Sequence, residues 1–415
     1  MAAVLLTVAA SSSHAVTIRV DHAGGGDYLT IQEGIDAATY GDTVLVAPGT
    51  YNEHIYIGAP ADGVTLLGES GAASTIVDGQ EIYGESVITC EDVGADTRIE
   101  GLTVTGGVSH YWGGGIGADH ADIRVSACII KDNEAPRLQG GGIGCNDSNV
   151  EIIGCVFEGN WGGEGGAIGL WDGTAVIKSN EIARNRAVSF TADESGGGIS
   201  AAADYVEICD NTISDNEARF GGAVGTVGAG TLIISGNTMS ENTASASGGA
   251  LFLRSVDAFT VTQNIVVGNS VGVSGSGAAL RVFGEEGTQV HGSSVVDNVF
   301  FGNRGTGDQS AIVLHKGGPL PEFHGNFLVN ETAHEVRATS TPWADTLDFT
   351  GNWWGTSDPL EIADRIWDCA DDSELLWCID FSGWCDVPDC SGQTTDVPEA
   401  TQQVTSWGRL KSLYR

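Results

Sequence analysis

The residues best suited to chemistry are three arginines. Arg137, Arg186 and Arg219 each follow a recurrent asparagine, and Glu134 and Glu217 stand near the same asparagines. If the loops that carry them emerged on one side, they would line a groove for β-elimination of acidic sugars. An arginine would take the proton, and carboxylates would hold a calcium ion against the sugar's own carboxyl group. Solvated loop charge is the plainer reading and the preferred one. Calcium enters only through this lyase alternative, and no other cofactor is called for. The nine histidines are scattered with neither HxH nor HExxH, so zinc chemistry has no support.

A second chemistry is stacking. Tyr111, Trp112, Trp161, Phe190 and Phe220 precede glycine-rich groups, and Trp171 follows one. Loops at one corner of successive coils would make a file of aromatics on which sugar rings could stack. The competing reading is that these rings shield the glycines from water. Cysteines supply a third chemistry. Cys128 and Cys155 hold equivalent positions in consecutive repeats, which would put their Cα atoms about 5 Å apart and predicts an inter-coil disulfide. Cys369, Cys378, Cys385 and Cys390 cluster late without CxxC spacing, which favours disulfides over zinc. With nine cysteines, at least one must stay unpaired.

What positions all of these is a repeat. A glycine group recurs at GGGIGADH, GGGIGCND, GGAIGLWD, GGGISAAA, GGAVGTVG, GGALFLRS and GAALRVFG, followed by a β stretch and Asn-x-apolar-apolar-x-x-Asn. The apolar residue after each group steps from Ile116 to Leu280 by 27, 25, 31, 25, 27 and 29. Such a drifting period marks a solenoid, and the glycine load with runs such as VEII and TLII excludes helical repeats. Ile143, Ile168, Ile199 and Val224 should therefore stack inside a parallel β-coil. Two series, Asn133 to Asn303 and Cys128 to Asn298, should form ladders along the coil, amide on amide at about 4.8 Å. Asparagine also tolerates the left-handed conformation that tight turns need.

The ends differ from the middle. Ala2 to Ala10 reads as the apolar core of an export signal with Ser13-His14-Ala15 as its cleavage site, although a basic leader is absent. Thr30 to Glu33 spells a capping box opening an amphipathic helix that would cover the coil's open end. The expected divisions are a signal peptide over 1–15, a cap with the first strands over 16–60, the coil over 61–355, a cysteine-rich cap over 356–390, and a linker with a sorting tail over 391–415. A net charge of −37, from 18 basic and 55 acidic residues, argues against nucleic acid as a partner. After the first dozen residues no stretch approaches a membrane span.

Gly24 to Ile57, GGGDYLTIQEGIDAATYGDTVLVAPGTYNEHIYI, resembles the opening of pectin-lyase-like right-handed parallel β-helix proteins. Pectin methylesterases carry a similar glycine turn, TIQ, alanine-rich helix and GTY-x-E strand. GGAI at Gly165, FEGN at Phe157 and FFGN at Phe300 resemble the tetrapeptides of polymorphic outer-membrane proteins. The resemblance implies an all-β fold, a single-stranded right-handed parallel β-helix of roughly ten coils with a capping helix. It implies no single activity, because the fold carries lyases, esterases and adhesins alike. Asp297 to Asn303 only superficially resembles the esterase Asp-Phe-Ile-Phe-Gly element, and the polygalacturonase motifs are absent. The expectation is a secreted or surface-attached bacterial protein. It would be adhesin-like and non-catalytic, binding a polysaccharide or host-surface glycan through Tyr111, Trp112, Trp161, Trp171 and Phe220. A calcium-dependent lyase and a purely structural envelope component are the alternatives.

Overall fold

One coil shows how the sequence closes on itself. Ile116–Asp119, Ile123–Ser126, Ile129–Lys131 and Glu134–Ala135 are four short strands separated by tight turns. In Ile123–Ser126 alternate residues are buried, and in Ile116–Asp119 only Asp119 escapes burial, so Ile116, Ala118, Ile123 and Val125 fill the interior. Each strand pairs in parallel with its equivalents in the coils before and after, so the first two strands build a 22-stranded sheet and the last two a 19-stranded sheet. The computed structural model describes residues 15–387, apart from 138, 189–195, 285–291, 306–308, 316–320, 340–344 and 373–376. The segments read as an export signal and a sorting tail lie outside the described residues, residue 15 excepted.

Register bears out the aliphatic ladder. Ile143, Ile168, Ile199 and Val224 are direct neighbours on successive coils and fully buried. The same column extends from Ile55 through Ile88 and Ile116 to Leu280, Ile312, Val336 and Ile366. That makes about twelve turns where the glycine groups alone predict roughly ten, because the outermost coils lack those groups. At one strand spacing per turn the solenoid is about 55 Å long.

The asparagine ladders are present and differ in one detail from expectation. The left-handed conformation belongs to the residue before each asparagine, for example Asp132 (φ 54°), Ser179 (φ 57°) and Asp215 (φ 55°). The asparagine itself turns inward and is buried. Asn216 Nδ2 donates to Asn242 Oδ1 at 3.0 Å and to the Ile182 carbonyl at 2.9 Å, and Asn216 N donates to the same Oδ1 at 3.0 Å. An amide both donates and accepts, so the pattern propagates from coil to coil, which a carboxylate could not do. One ladder ends at Asn352, in the GNWWG segment. The other ends at Asn330, whose N and Nδ2 both donate to the buried Glu335 carboxylate at 2.8 Å. Burial pushes that carboxyl up, opposed by the Asn330 hydrogen bonds and by Arg365.

The N-terminal end is closed as the capping box predicts. Helix α1, Ile31–Ala37, starts with Glu33 N donating to Thr30 Oγ1 and Thr30 N donating to Glu33 Oε2, each at 3.3 Å. The glutamate of GTY-x-E adds a second cap: Glu53 accepts from Ile31 N at 2.9 Å and Gln32 N at 3.1 Å. Gly34 lets the helix lie on the first coils, since a Cβ there would sit 2.7 Å from Val20 Cγ2. At the other end Trp354 is fully buried beside Phe349, and Cys369–Cys378 is a disulfide. Cys385 is also disulfide-bonded, and Cys390 lies outside the described residues.

Asp42 ties the first strands to the turn after α1. Its carboxylate accepts from Val16 N and Thr39 N, each at 2.8 Å, and from Thr39 Oγ1 at 2.9 Å. These backbone donors hold its carboxyl below the usual range, with burial opposing. A depressed folded value means the stabilisation is complete above the unfolded value of about 3.9 and is lost as pH falls through the folded one. Asp42→Asn should therefore melt earlier at neutral pH, with the gap from wild type closing on acidification below about pH 4. A gap that stays constant across the acid range in melting curves would show that the charge contributes nothing.

Candidate functional site

Two columns of side chains face outward from the first strand of each coil. One runs Tyr56, Thr89, Gly117, Gly144, Gly169, Ser200, Gly225. The other runs Glu91, Asp119, Asn146, Trp171, Ala202. The glycines are there because the preceding loop lies flat across them: a Cβ on Gly144 would be 2.2 Å from Gly113 N. Backbone therefore roofs the middle of this face. Where the column still carries Tyr56 and Thr89, the face opens into a cleft of about 580 Å³ lined by His54, Tyr56, Glu85, Glu91, Tyr111, Trp112 and Asp119, among others.

Each wall of the cleft is fixed by hydrogen bonds. Ser86 Oγ donates to the carbonyls of Trp112 (2.8 Å) and Gly113 (2.6 Å), and Ser109 Oγ donates to Trp112 O at 3.3 Å. The Tyr111-Trp112 turn is thereby pinned over the sheet. Tyr111 is 67% exposed at the rim. The ring nitrogens of His54 face the carbonyls of Ser86 (2.9 Å) and Gly79 (3.1 Å), so this ring is locked in the wall and is not free to act as a base. Tyr56 Oη donates to Glu91 Oε2 at 3.0 Å, and burial together with that carboxylate pushes its phenol up. Asp119 accepts from Asn146 Nδ2 at 2.7 Å and lies 3.0 Å from His120 Nδ1.

Glu91 and Asp119 are register partners on adjacent strands. They stand side by side on one wall, about one strand spacing apart, rather than facing one another across the cleft. Acid–base hydrolysis of a glycosidic bond requires carboxyls flanking the bond. Side-by-side carboxylates next to exposed rings suit the hydroxyls and apolar face of a bound sugar instead. Among the described residues no cluster of histidine, cysteine, aspartate and glutamate could hold a metal ion.

The sequence-derived candidates are not gathered as one file. Tyr111 and Trp112 line the cleft, and Trp171 lies two coils along in the column of Asp119. Phe220 leans on Phe252 with centroids 4.8 Å apart. Trp161 is on the other sheet, in register with Glu134 and Arg186. Phe190 lies outside the described residues. The three arginines are exposed, Arg186 and Arg219 on paired strands of the second sheet, and none lines the cleft. Arg137 is exposed in a turn, Arg186 meets Glu217 at 3.8 Å on the outer surface, and Arg219 lies over the Phe220 ring at 5.1 Å.

Cys128 and Cys155 correct the disulfide expectation. They occupy adjacent coils and are buried, yet both are free thiols. The reason lies in the ladder. Cys155 Sγ points at the Val125 carbonyl (3.6 Å) and Cys128 Sγ at the Ile99 carbonyl (3.7 Å), the direction in which Asn180 Nδ2 donates to Ile152 O. Each thiol thus stands where a ladder amide would. Hydrogen bonding to Cys155, with burial, pushes the Cys128 thiol well up.

His54, Tyr56, Glu85, Glu91 and Asp119 carry no signal in the sequence pattern that would single them out. What is missing is register: Glu91 lies one coil before Asp119, but its coil opens on Ser86-Val87-Ile88 with no glycine group to mark the start.

The right-handed β-helix region family matches residues 86–328, more than half of the chain, and the protein belongs to that family. Among solved structures, the pectin methylesterase from Aspergillus niger in deglycosylated form aligns over 97% of both chains at 10% identity, with a TM-score of 0.24. That score is too low to bear on activity. Among curated proteins none matches the sequence.

Proposed function

We propose that this β-helix is a secreted or cell-surface, adhesin-like glycan-binding protein, with the Tyr111–Trp112 cleft as its sugar subsite. The observation that carries the reading is the cleft itself: exposed aromatic rings pinned beside Glu91 and Asp119, whose free oxygens can accept hydrogen bonds from ring hydroxyls. The carboxylates would repel polyuronates, so the ligand is a neutral glycan. The terminal disulfide supports an extracellular setting. So does the resemblance to outer-membrane repeats, although FEGN has a structural basis of its own: Phe157 is buried in the core and Asn160 is a ladder residue.

Binding of neutral oligosaccharides should appear on a glycan array. Trp112→Ala should weaken it about five- to tenfold, since loss of one stacking ring is worth roughly 1–1.5 kcal/mol. Glu91→Gln should weaken it less. Silence across all neutral glycans, or affinity unchanged in Trp112→Ala, would sink the reading. Release of reducing ends that disappears in Asp119→Asn would replace it with a hydrolase.

A further inference from the structure

Beyond the middle of the same face the chemistry reverses. The column of Gly117 continues from Gly225 to Phe252, Arg281, Val313 and Arg337, and that of Asp119 reaches Arg254, Phe283 and His315. In a chain with 18 basic residues and net charge −37, such a concentration of arginine is conspicuous. Once the glycines give way to larger residues the face opens again, into a pocket of about 310 Å³ lined by Arg281, Gln309, Ser310, His315, Arg337 and Thr339, among others.

The arginines of this pocket lack the carboxylate partner that six others have. Arg19, Arg124, Arg184, Arg186, Arg304 and Arg365 each have a carboxylate within 2.6–3.8 Å. Neither Arg281 nor Arg337 meets one among the described residues. Arg281 Nη1 donates instead to the hydroxyls of Ser276 and, at 3.5 Å, Ser247. Arg337 lies over the Trp367 ring, and its Nε is buried without a hydrogen-bond partner. Ser310, 1% exposed, also has an unpartnered Oγ. Buried donors without partners are rare in native structures and call for an acceptor. Beside the pocket Phe283 and His315 stack at 4.5 Å and 13°.

We infer that this pocket binds a tetrahedral oxyanion, sulfate or phosphate, held by Arg281, Arg337 and Ser310. These donors come from three successive coils, so they reach the ligand from different directions. A tetrahedral anion offers acceptors on every side, whereas a carboxylate offers two in one plane. The inference is independent of the sugar cleft, which lies at the far end of the face.

The test is titration calorimetry on the full chain at low ionic strength with sodium sulfate, sodium phosphate, sodium acetate, a sulfated disaccharide and its unsulfated parent. Sulfate and phosphate should bind, with acetate at least tenfold weaker. Arg281→Gln and Arg337→Gln should each weaken sulfate at least tenfold, while Trp112→Ala leaves it unchanged. A sulfated disaccharide binding tenfold tighter than sulfate would assign the anion to a glycan; equal affinity would assign a free ion. Absence of heat with every anion, or sulfate affinity that survives both arginine substitutions, overturns the inference. Should either Gln variant unfold, Ser310→Ala carries the test, and unchanged sulfate affinity in it is likewise fatal.

Discussion

Asn242→Ala should destabilise the protein by roughly 3–5 kcal/mol, because several buried groups lose partners at once. Asn242 is fully buried. Its Oδ1 accepts from Asn216 N and Nδ2, each at 3.0 Å, and its Nδ2 donates to Ile213 O and Asn269 Oδ1, each at 2.9 Å. Truncation leaves these groups in a turn that water does not reach, and each unsatisfied one costs about 1–3 kcal/mol. The exposed Asn149, bonded to Asp122 Oδ1 at 2.7 Å, is the control. Asn149→Ala should stay within about 0.5 kcal/mol, because solvent replaces the lost partner. Guanidinium unfolding followed by circular dichroism separates the two. Since each coil contacts only its neighbours, a lowered slope in Asn242→Ala would mean that the solenoid splits at that coil. Equal midpoints for the two variants would show that the ladder adds nothing beyond its turn geometry.

Ile168→Ala should cost about 2–5 kcal/mol through lost burial and the cavity left between Ile143 and Ile199. The interior cannot collapse into that gap easily, because both neighbours are held at strand spacing by backbone hydrogen bonds. Trp171→Ala on the same strand, at a position 40% exposed, should change stability far less despite removing a larger side chain. If the tryptophan variant proved the more destabilised of the two, the inward column would not be the core.

Much of the fold was legible in the sequence. The glycine groups mark where each coil begins, and the β-branched residue after them identifies the inward column. The asparagines mark two of the turns, although the left-handed residue proved to be their predecessor. The capping box at Thr30 and the disulfide character of the late cysteines could also be read directly, because these are interactions over a few residues. The outermost coils could not be counted, since they keep the strand pairing but not the glycines.

The candidate sites were less legible. Trp161 and Trp171 both sit beside a glycine group, yet ten residues along a coil is a different sheet. Arg254 and Arg281 are 27 residues apart, a typical period, but the intervening coil is longer, so Arg254 pairs with Phe283 instead. Cys128 and Cys155 were correctly placed on adjacent coils, but spacing says nothing of where a thiol points, and the ladder's carbonyls take both. By itself the sequence determined the coil, its core and its turns, because in a solenoid these depend on short-range pattern and nearest-neighbour stacking. Only the tertiary structure decided which side chains share a face. That depends on register accumulated through loops of unequal length, and on where the loop backbone lies across the glycines and where it leaves the face open.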